Sequence, residues 1–370
     1  MVQVFFYATV VLSLLLWLPG FWLFSRMRFL GGEAPPSEGR ADLSVIIPAR
    51  DEERRIRPLL ESLVRQTLKP REVIVVDDHS RDRTREVAES YGLSVVGSRR
   101  KPSGWNGKSW ACWQGAKKAR GRLLLFLDAD VCLKNDALTL LMSRHRSLRA
   151  AISVQPYHRI RCLYENLSAF VNLAVIAGLD AFSRFSRPGK PAGAFGPCLL
   201  VSRDAYFQCG GHRAVGRRIV DDMALGRLLT ENGSLFCFLG KGTVEFRMYP
   251  RGIKDLVEGW SKNLAEASSR SGRRSVRLLA LWISGIFSSL SLASYLAFGL
   301  SPGQIALGGA IMLLYIGQIH FFFRRAGNFS FLAAVFYPVS TLVFLGLFAL
   351  SLFRTRVSRS VRWKGRRMCS

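Results

Sequence analysis

The sequence has few acidic residues and no cysteine motif. Its 370 residues include 26 Asp and Glu against 53 Lys and Arg, which gives a net charge of +27. An excess of this size attracts a protein to polyanions such as nucleic acid, anionic lipid or phosphorylated small molecules. The seven cysteines are scattered and never spaced C-x-x-C. They give no sign of a zinc site and are typical of reduced thiols in the cytosol.

The positive charge comes without a zinc finger or a platform of aromatic and basic residues, so we expect no nucleic-acid partner. The basic residues instead flank four long apolar runs, as the positive-inside rule expects of membrane helices. Each run is near the roughly 20 residues that a membrane helix needs. The runs cover residues 2–24, 278–300, 305–323 and 331–353.

These runs predict membrane helices at both ends of the chain. The first run lacks the basic start and the small-residue cleavage site of a signal peptide, so we expect an uncleaved anchor over residues 1–30. Arg26 and Arg28 then place the middle of the chain in the cytoplasm. About three further membrane helices over residues 276–353 and a basic tail at 354–370 complete a multi-pass protein of the plasma membrane.

The fourth apolar run conflicts with this topology. The uncharged loop at residues 301–304 suits the outer side, and Arg324 and Arg325 then lie inside again. A full fourth span would therefore put the basic tail outside. Either Pro338 bends or turns back this segment, or one of the four runs does not span.

The middle of the chain has a different pattern. Residues 31–42 have the composition of a linker, and short apolar strands then alternate with amphipathic helices. This alternation is typical of a parallel sheet covered by helices on both faces, so we predict an α/β catalytic domain over residues 43–270. The predicted strands and helices, in chain order, are 43–47, 52–66, 73–76, 84–91, 93–96, 109–119 and 123–127.

Polar clusters follow three of the predicted strands, at residues 48–52, 77–80 and 128–130. In open parallel sheets, ligands bind beyond the carboxyl ends of the strands, so we expect the clusters to meet at one edge. The carboxylate pair Asp128 and Asp130 suits a hard divalent cation that also takes oxygens from a substrate phosphate. Three clusters at successive strand ends are much stronger evidence than a single D-x-D.

These clusters resemble the motifs of family 2 glycosyltransferases, which have the GT-A fold, a Rossmann-like and mostly parallel α/β sheet. The family usually has Asn where Asp51 stands. The GK-x-W-A run and the GGH turn are most similar to membrane enzymes of the carotenoid-acid (diaponeurosporenoate-type) and hopanoid-associated kind. The resemblance covers residues 42–231 and is carried by SVIIPARDEE, VIVVDDHSRDRT, GWNGKSWACWQG, LLLFLDADV and VDDMALGRLL.

The resemblance implies an inverting glycosyltransferase that uses a nucleotide-sugar donor, preferably a UDP-hexose. Asp128 and Asp130 would hold Mg²⁺ or Mn²⁺ on the donor diphosphate, and Asp222 would be the catalytic base. From the residues alone, Asp221 and Asp222 also suit the start of a helix, and Lys108 also suits a solvated position. By the resemblance, the donor would contact Pro48, Arg50, Glu52, Asp78, Lys108, Asp128 and Asp221.

The sequence says less about the acceptor than about the donor. Processive polysaccharide synthases of this family carry Q-x-x-R-W after the base, and residues 258–267 read EGWSKNLAEA instead. We therefore expect single transfers to a membrane lipid or polyprenyl-type acceptor, with a processive synthase as the alternative. Residues 163–182 predict a long apolar helix, either at the bilayer surface beneath the acceptor or in the core.

Two other classes of protein fit the sequence less well. A nucleotidyltransferase normally begins with a Gly-rich phosphate loop, and none follows Ile47. A catalytically inactive membrane scaffold with a nucleotide-binding domain would not need the acids that the chemistry requires, and all of them are present. Both alternatives are therefore disfavoured.

Overall fold

The structure is a computed structural model. The predicted linker at residues 31–42 lies partly outside the described residues, and the first strand already begins at Arg40. The catalytic part and the four apolar runs lie almost entirely within the described part of the chain. The described residues are 1–32, 39–218, 220–356, 360–363 and 366–369.

Twelve strands occur in the described residues, and they include all four strands predicted from the sequence. They are β1 (Arg40–Ala49), β2 (Lys69–Asp77), β3 (Ser94–Gly97), β4 (Leu123–Leu127), β5 (Val131–Leu133), β6 (Ala151–Gln155), β7 (Tyr157–His158), β8 (Cys198–Ser202), β9 (Leu235–Leu239), β10 (Val244–Phe246), β11 (Ser360–Trp363) and β12 (Arg366–Cys369). The last two pair as a short hairpin.

Fourteen α-helices accompany the strands in the described residues. They are α1 (Val2–Phe24), α2 (Ile56–Val64), α3 (Thr84–Glu89), α4 (Gly107–Lys118), α5 (Ala137–Leu148), α6 (Ala169–Gly178), α7 (Arg203–Gln208), α8 (Gly211–Val215), α9 (Asp221–Asn232), α10 (Ile253–Arg270), α11 (Arg273–Ser291), α12 (Pro302–Ala326), α13 (Phe331–Val335) and α14 (Tyr337–Arg356). The helix predicted at 52–66 is shorter than expected, because residues 52–55 form a turn.

Seven strands form the main sheet in the order β3-β2-β1-β4-β8-β6-β9. Strand β8 runs antiparallel to both of its neighbours, and the other pairs in this sheet are parallel. The prediction of a Rossmann-like, mostly parallel sheet is confirmed. Because β4 and β6 are both antiparallel to β8, they point the same way, and their carboxyl ends lie at the same edge as those of β1 and β2.

The sheet is covered on both faces, which explains its continuously apolar strands. Alternate side chains of a strand point to opposite faces. In β1, Val45 and Ile47 pack into a core with Leu59 of α2, whereas Ile46 packs into a second core with Ala111 of α4. Each strand therefore needs apolar residues at consecutive positions.

Among the residues that the structure describes, four helices are long and apolar enough to cross a membrane, by length and composition: Val2–Phe24, Arg273–Phe298, Pro302–Ala326 and Tyr337–Arg354. The second continues from α11 through a 3-10 helix. The fourth apolar run is broken between α13 and α14, next to Pro338. Proline is tolerated in the first turn of a helix and not in its interior, so a new helix begins here. This break agrees with one of the two alternatives that the sequence left open, a bend at Pro338.

The apolar segment at residues 163–182 is part of the core. It forms a 3-10 helix followed by α6, and eight of the ten α6 residues are buried. Phe170 stacks on Trp282 of α11 with ring centroids 5.4 Å apart. A helix buried on nearly all sides cannot lie on the bilayer surface, so that alternative was wrong. Helix α6 instead joins the catalytic part to the membrane helices.

Candidate active site

A cavity of about 930 Å³ opens at the carboxyl edge of the main sheet. Its polar end is built from the loops that follow β1, β2 and β4 and from the first turns of α4 and α9. The structure brings together in this one cavity every residue for which the sequence predicts a role in donor binding, metal binding or catalysis. They are Pro48, Arg50, Glu52, Asp78, Lys108, Asp128, Asp130, Asp221 and Asp222.

The loops after β1 and β2 support each other. The Arg50 guanidinium Nη1 lies 3.5 Å from Asp78 Oδ2, and Asp78 is almost fully buried. Asp51 has a left-handed backbone with φ of 51°, and its Oδ1 accepts a hydrogen bond from the backbone N–H of Arg81. Asn and Asp are the residues that tolerate this conformation best, so Asp can stand where the family usually has Asn.

The two acids after β4, Asp128 and Asp130, influence each other's ionisation. Burial raises the pKa of the Asp130 carboxyl to about 7, and the nearby carboxylates of Asp128 and Glu52 add to that rise. The described residues hold no group of three or more acidic, His or Cys side chains that could bind a metal alone. Two carboxylates plus oxygens of a substrate diphosphate form the donor set that Mg²⁺ commonly takes, so these residues fit a substrate-bound cation.

Lys108 links the acids that are predicted to bind a metal to the predicted base. Asn106 caps α4 by accepting a hydrogen bond from the backbone N–H of Lys108, which fixes where this side chain starts. Its Nζ lies 2.8 Å from Asp128 Oδ1 and 3.4 Å from Asp222 Oδ2. Burial works to lower the pKa of the ammonium, but these carboxylates outweigh it and raise that pKa well above its ordinary value. Lys108 is a paired cation within the site and not a solvated lysine.

The two acids at the start of α9 have separate environments. Asp221 is buried, accepts a hydrogen bond from the Ser109 hydroxyl, and accepts another from the backbone N–H of Asp222. It therefore holds the first turn of α9 against α4. Asp222 contacts Lys108 in the cavity. The helix-start alternative therefore fits Asp221, whereas Asp222 lines the cavity.

The sequence did not single out the segment that seats Asp222. Gly196 lies just before β8, and a Cβ atom there would be 1.8 Å from Asp222 Oδ2. Only glycine leaves room for the carboxylate in this position. Gln155, at the carboxyl end of β6, also lines the cavity and was missed. The two glycines of GAFGP, residues 193–197, were the available sign of Gly196. Nothing in the sequence pointed to Gln155.

The cavity continues from the polar end into the membrane helices. Its far walls are apolar and come from three helices that are distant in sequence. We call this part the apolar arm; it is lined by Ala174 and Val175 of α6, by Val276, Leu279, Ala280 and Ile283 of α11, and by Phe344, Leu345 and Phe348 of α14. The sequence did not predict it, because the arm exists only once these helices have packed.

Known proteins share both the sequence and the fold. The 4,4'-diaponeurosporenoate glycosyltransferase of Staphylococcus aureus strain USA300 is 36% identical over 329 residues, which cover 88% of this chain and 87% of the relative. The enzyme of the same name from strain MRSA252 is 36% identical over 331 residues. A sequence model of the family described as Glycosyl transferase family 2 matches residues 44–210. The chain belongs to this family.

The fold comparison agrees with the family. The structure of a mannosyltransferase, PcManGT from Pyrobaculum calidifontis in complex with GDP-Man and Mn²⁺, is similar with a TM-score of 0.51 at 16% identity. The similarity covers 96% of this glycosyltransferase and 98% of the mannosyltransferase. The GT-A fold expected from the sequence motifs is confirmed.

Replacing Lys108 with alanine should lower kcat/KM of this glycosyltransferase about 10²-fold. The change leaves Asp128 and Asp222 without the cation that lies between them. Lys117→Ala is the matched control, since Lys117 is exposed on the same helix. Steady-state rates with a radiolabelled donor measure the difference. A Lys108→Ala enzyme with more than half of the original kcat/KM would contradict this role.

Replacing Gly196 with alanine should lower kcat about 10²-fold, because the new methyl group would displace the Asp222 carboxylate. Nucleotide affinity should stay within twofold of the original, since the methyl group would meet Asp222 and not the acids after β4. Gly97→Ala is the control, as a Cβ there meets no atom within 4 Å. Calorimetric titration with UDP separates the two effects, and an unchanged kcat would show that Asp222 needs no such space.

Proposed function

We propose that this glycosyltransferase moves a hexose from a UDP-sugar to the polar end of a long apolar acceptor of the carotenoid-acid kind. One observation carries the proposal. A single cavity has acids and a lysine at the carboxyl edge of the sheet and an apolar arm between membrane helices. The relatives are named for such an acid, 4,4'-diaponeurosporenoate, and the chain matches them over 88% of its length.

The polar end suits the donor. Asp78 and Arg50 lie at the ends of β2 and β1, where Asp78 can accept a hydrogen bond from an N–H of the nucleotide base and Arg50 can donate one. Lys108 can turn from its carboxylates to the diphosphate. Asp128 and Asp130 would hold a divalent cation such as the Mn²⁺ of the mannosyltransferase complex. Such an ion neutralises charge that grows on a leaving diphosphate.

Asp222 is the proposed base. A carboxylic acid in an apolar environment has a raised pKa, so the acceptor would arrive protonated in the apolar arm. Asp222 removes that proton, and the acceptor oxygen attacks the anomeric carbon from the face opposite the leaving group. The oxygen–carbon bond forms as the bond to the diphosphate breaks, and the configuration at that carbon inverts. Lys108 holds the charge on the diphosphate side.

The arrangement of basic residues supports a cytoplasmic position for the catalytic part. Arg26 and Arg28 follow α1, and Arg273 and Arg274 open α11, so basic side chains gather where the catalytic part meets the membrane helices. The positive-inside rule places such clusters on the cytoplasmic face of the plasma membrane. Nucleotide sugars are available on this side.

The proposal is tested by giving the purified protein UDP-glucose, Mn²⁺ and 4,4'-diaponeurosporenoate in detergent micelles. We expect one hexose on each acceptor molecule, joined as an ester that mild alkali cleaves, as seen by mass spectrometry. UDP-galactose and GDP-mannose serve as competing donors. A water-soluble polymer of hexoses would instead identify a processive synthase, and no product with any donor would reject the proposal.

A further inference from the structure

Two side chains that line the apolar arm also lie at the surface of the protein, on the first turns of a helix long and apolar enough to cross a membrane. Val276 and Ala280 line the cavity and are also exposed. Helix α11 packs along α1, whereas α14 packs along α10 and α6. Both helices also contact α6 but make little direct contact with each other, which leaves a gap between them beside Val276 and Ala280. A side chain that lines a cavity and also reaches the surface marks the place where the cavity opens.

The depth of this opening follows from the positions of the basic residues. Arg274 stands at the start of α11, and Ile283 lies about 14 Å further along that helix. Arg354 stands near the end of α14, and Phe348 lies about 9 Å before it. The guanidinium of Arg354 donates to the Ser261 hydroxyl of α10 at 2.5 Å. Basic side chains lie at the level of lipid head groups, so the gap lies just inside the acyl region.

The shape of the gap favours a slender occupant. On α11 it is bordered by the small side chains Val276 and Ala280, and on α14 by the rings of Phe344 and Phe348. A flat or extended chain fits between a small-residue stripe and aromatic faces.

We propose that this gap is a lateral portal through which a lipid with one long apolar tail reaches the catalytic acids from the bilayer. The inference rests on the proposed function for the identity of the head group. The polar head group of the lipid enters first and stops beside Asp222. Its apolar tail lies in the apolar arm, and the end of the tail extends into the bilayer between α11 and α14. Tails longer than the cavity then remain partly in the membrane, so tail length is not limited by cavity volume.

Photolabelling tests the portal without requiring catalysis. The probe is a palmitate with a diazirine in the middle of its chain, added to the protein in nanodiscs and mapped by mass spectrometry. Phe344 is only 7% exposed, whereas Leu342 on the same helix is 56% exposed. We expect saturable labelling of Phe344 and non-saturable labelling of Leu342. Absence of label on Phe344 would overturn the portal, even if sugar transfer to lipids occurs.

A blocking substitution tests the same route. Ala280→Trp should reduce labelling of Phe344 at least fivefold and transfer to 4,4'-diaponeurosporenoate at least twentyfold, with UDP affinity changed less than twofold. Leu281→Trp is the matched control, because Leu281 is 46% exposed on the same helix and lies outside the cavity lining. Equal labelling in both variants would overturn the portal. Labelling of Phe344 without any glycolipid product would retain the portal and reject the proposed function.

Discussion

Replacing Asp222 with asparagine should lower kcat about 10³-fold at pH 6 with a carotenoid-acid acceptor, within the range that general bases contribute. In the proposed complex the acceptor carboxyl lies beside the Asp222 carboxylate, which raises its pKa, so we expect it to be protonated at pH 6 and to need a base to become a good nucleophile. Asparagine keeps the shape of the side chain and cannot accept the proton. UDP affinity should be little changed, because the substitution leaves Lys108, Asp128 and Asp130 in place for the diphosphate.

The pH dependence of this defect identifies the acceptor chemistry. A carboxylic acid loses its own proton as the pH rises, so the defect of Asp222→Asn should shrink between pH 6 and pH 8.5. A hydroxyl acceptor keeps its proton throughout that range, and its defect would stay constant. Asp204→Asn is the control, since Asp204 is exposed on α7 and lies outside the cavity lining. A kcat within fivefold of the original at pH 6 would exclude Asp222 as the base.

Replacing Asp130 with asparagine should lower kcat/KM about 10²- to 10³-fold, the rate equivalent of several kcal/mol of charge stabilisation by a metal. Stabilisation of the protein by UDP with Mn²⁺ should disappear in a thermal unfolding experiment. Asp136→Asn is the control, because Asp136 is exposed a short distance along the chain and lies outside the cavity lining. Stabilisation by UDP and Mn²⁺ that survives in Asp130→Asn would place the metal elsewhere.

The same substitution should raise the Tm of the metal-free protein. The folded-state pKa of Asp130 is about 7, above the ordinary value of 3.8, so the folded protein resists ionisation of this group. Stability supplied by the protonated form is fully present below about pH 4 and is lost as the pH rises through 7. Asparagine carries no charge at any pH. Its advantage in Tm should therefore grow between pH 4 and pH 7 and stay constant above.

In the unsubstituted protein, protons should compete with the metal ion for Asp130 and weaken metal binding at low pH. A cation needs the ionised form of Asp130, so the affinity for Mn²⁺ in the presence of UDP should fall about tenfold for each pH unit below 7. Calorimetric titrations at pH 6 and pH 8 measure this difference. An affinity that does not change between these values would show that Asp130 is already ionised at pH 6.

The strand-end residues were predictable from the sequence because their positions follow from local patterns. An apolar strand such as Leu123–Leu127 ends at a sheet edge, and the acids that follow it must lie there. The motif resemblance then gave Lys108 and Asp222 the same location. The contact between these two side chains was not predictable, since it depends on how α4 and α9 approach each other.

The apolar arm and the space that the Asp222 carboxylate occupies beside Gly196 both depend on packing between segments that are distant in sequence. Residues 163–182 read equally well as a surface helix or a core helix, and only their contacts with α11 and α14 decide for the core. In the sequence only the GAFGP run distinguishes Gly196, and its contact with Asp222 exists only once α9 lies against it. The spacing of apolar residues in the sequence shows which face of a helix or strand is apolar, but it does not show which other segment will cover that face.

A cryo-electron microscopy map of the protein in nanodiscs, with UDP, Mn²⁺ and 4,4'-diaponeurosporenoate, is the most direct test of a shared cavity. We expect UDP beside Asp78 and Asp128, with the metal against Asp130. A single rod of density should fill the apolar arm, with its carboxyl group about 3 Å from Asp222. Density for the nucleotide and the lipid in separate sites, with no continuous space between them, would contradict this account.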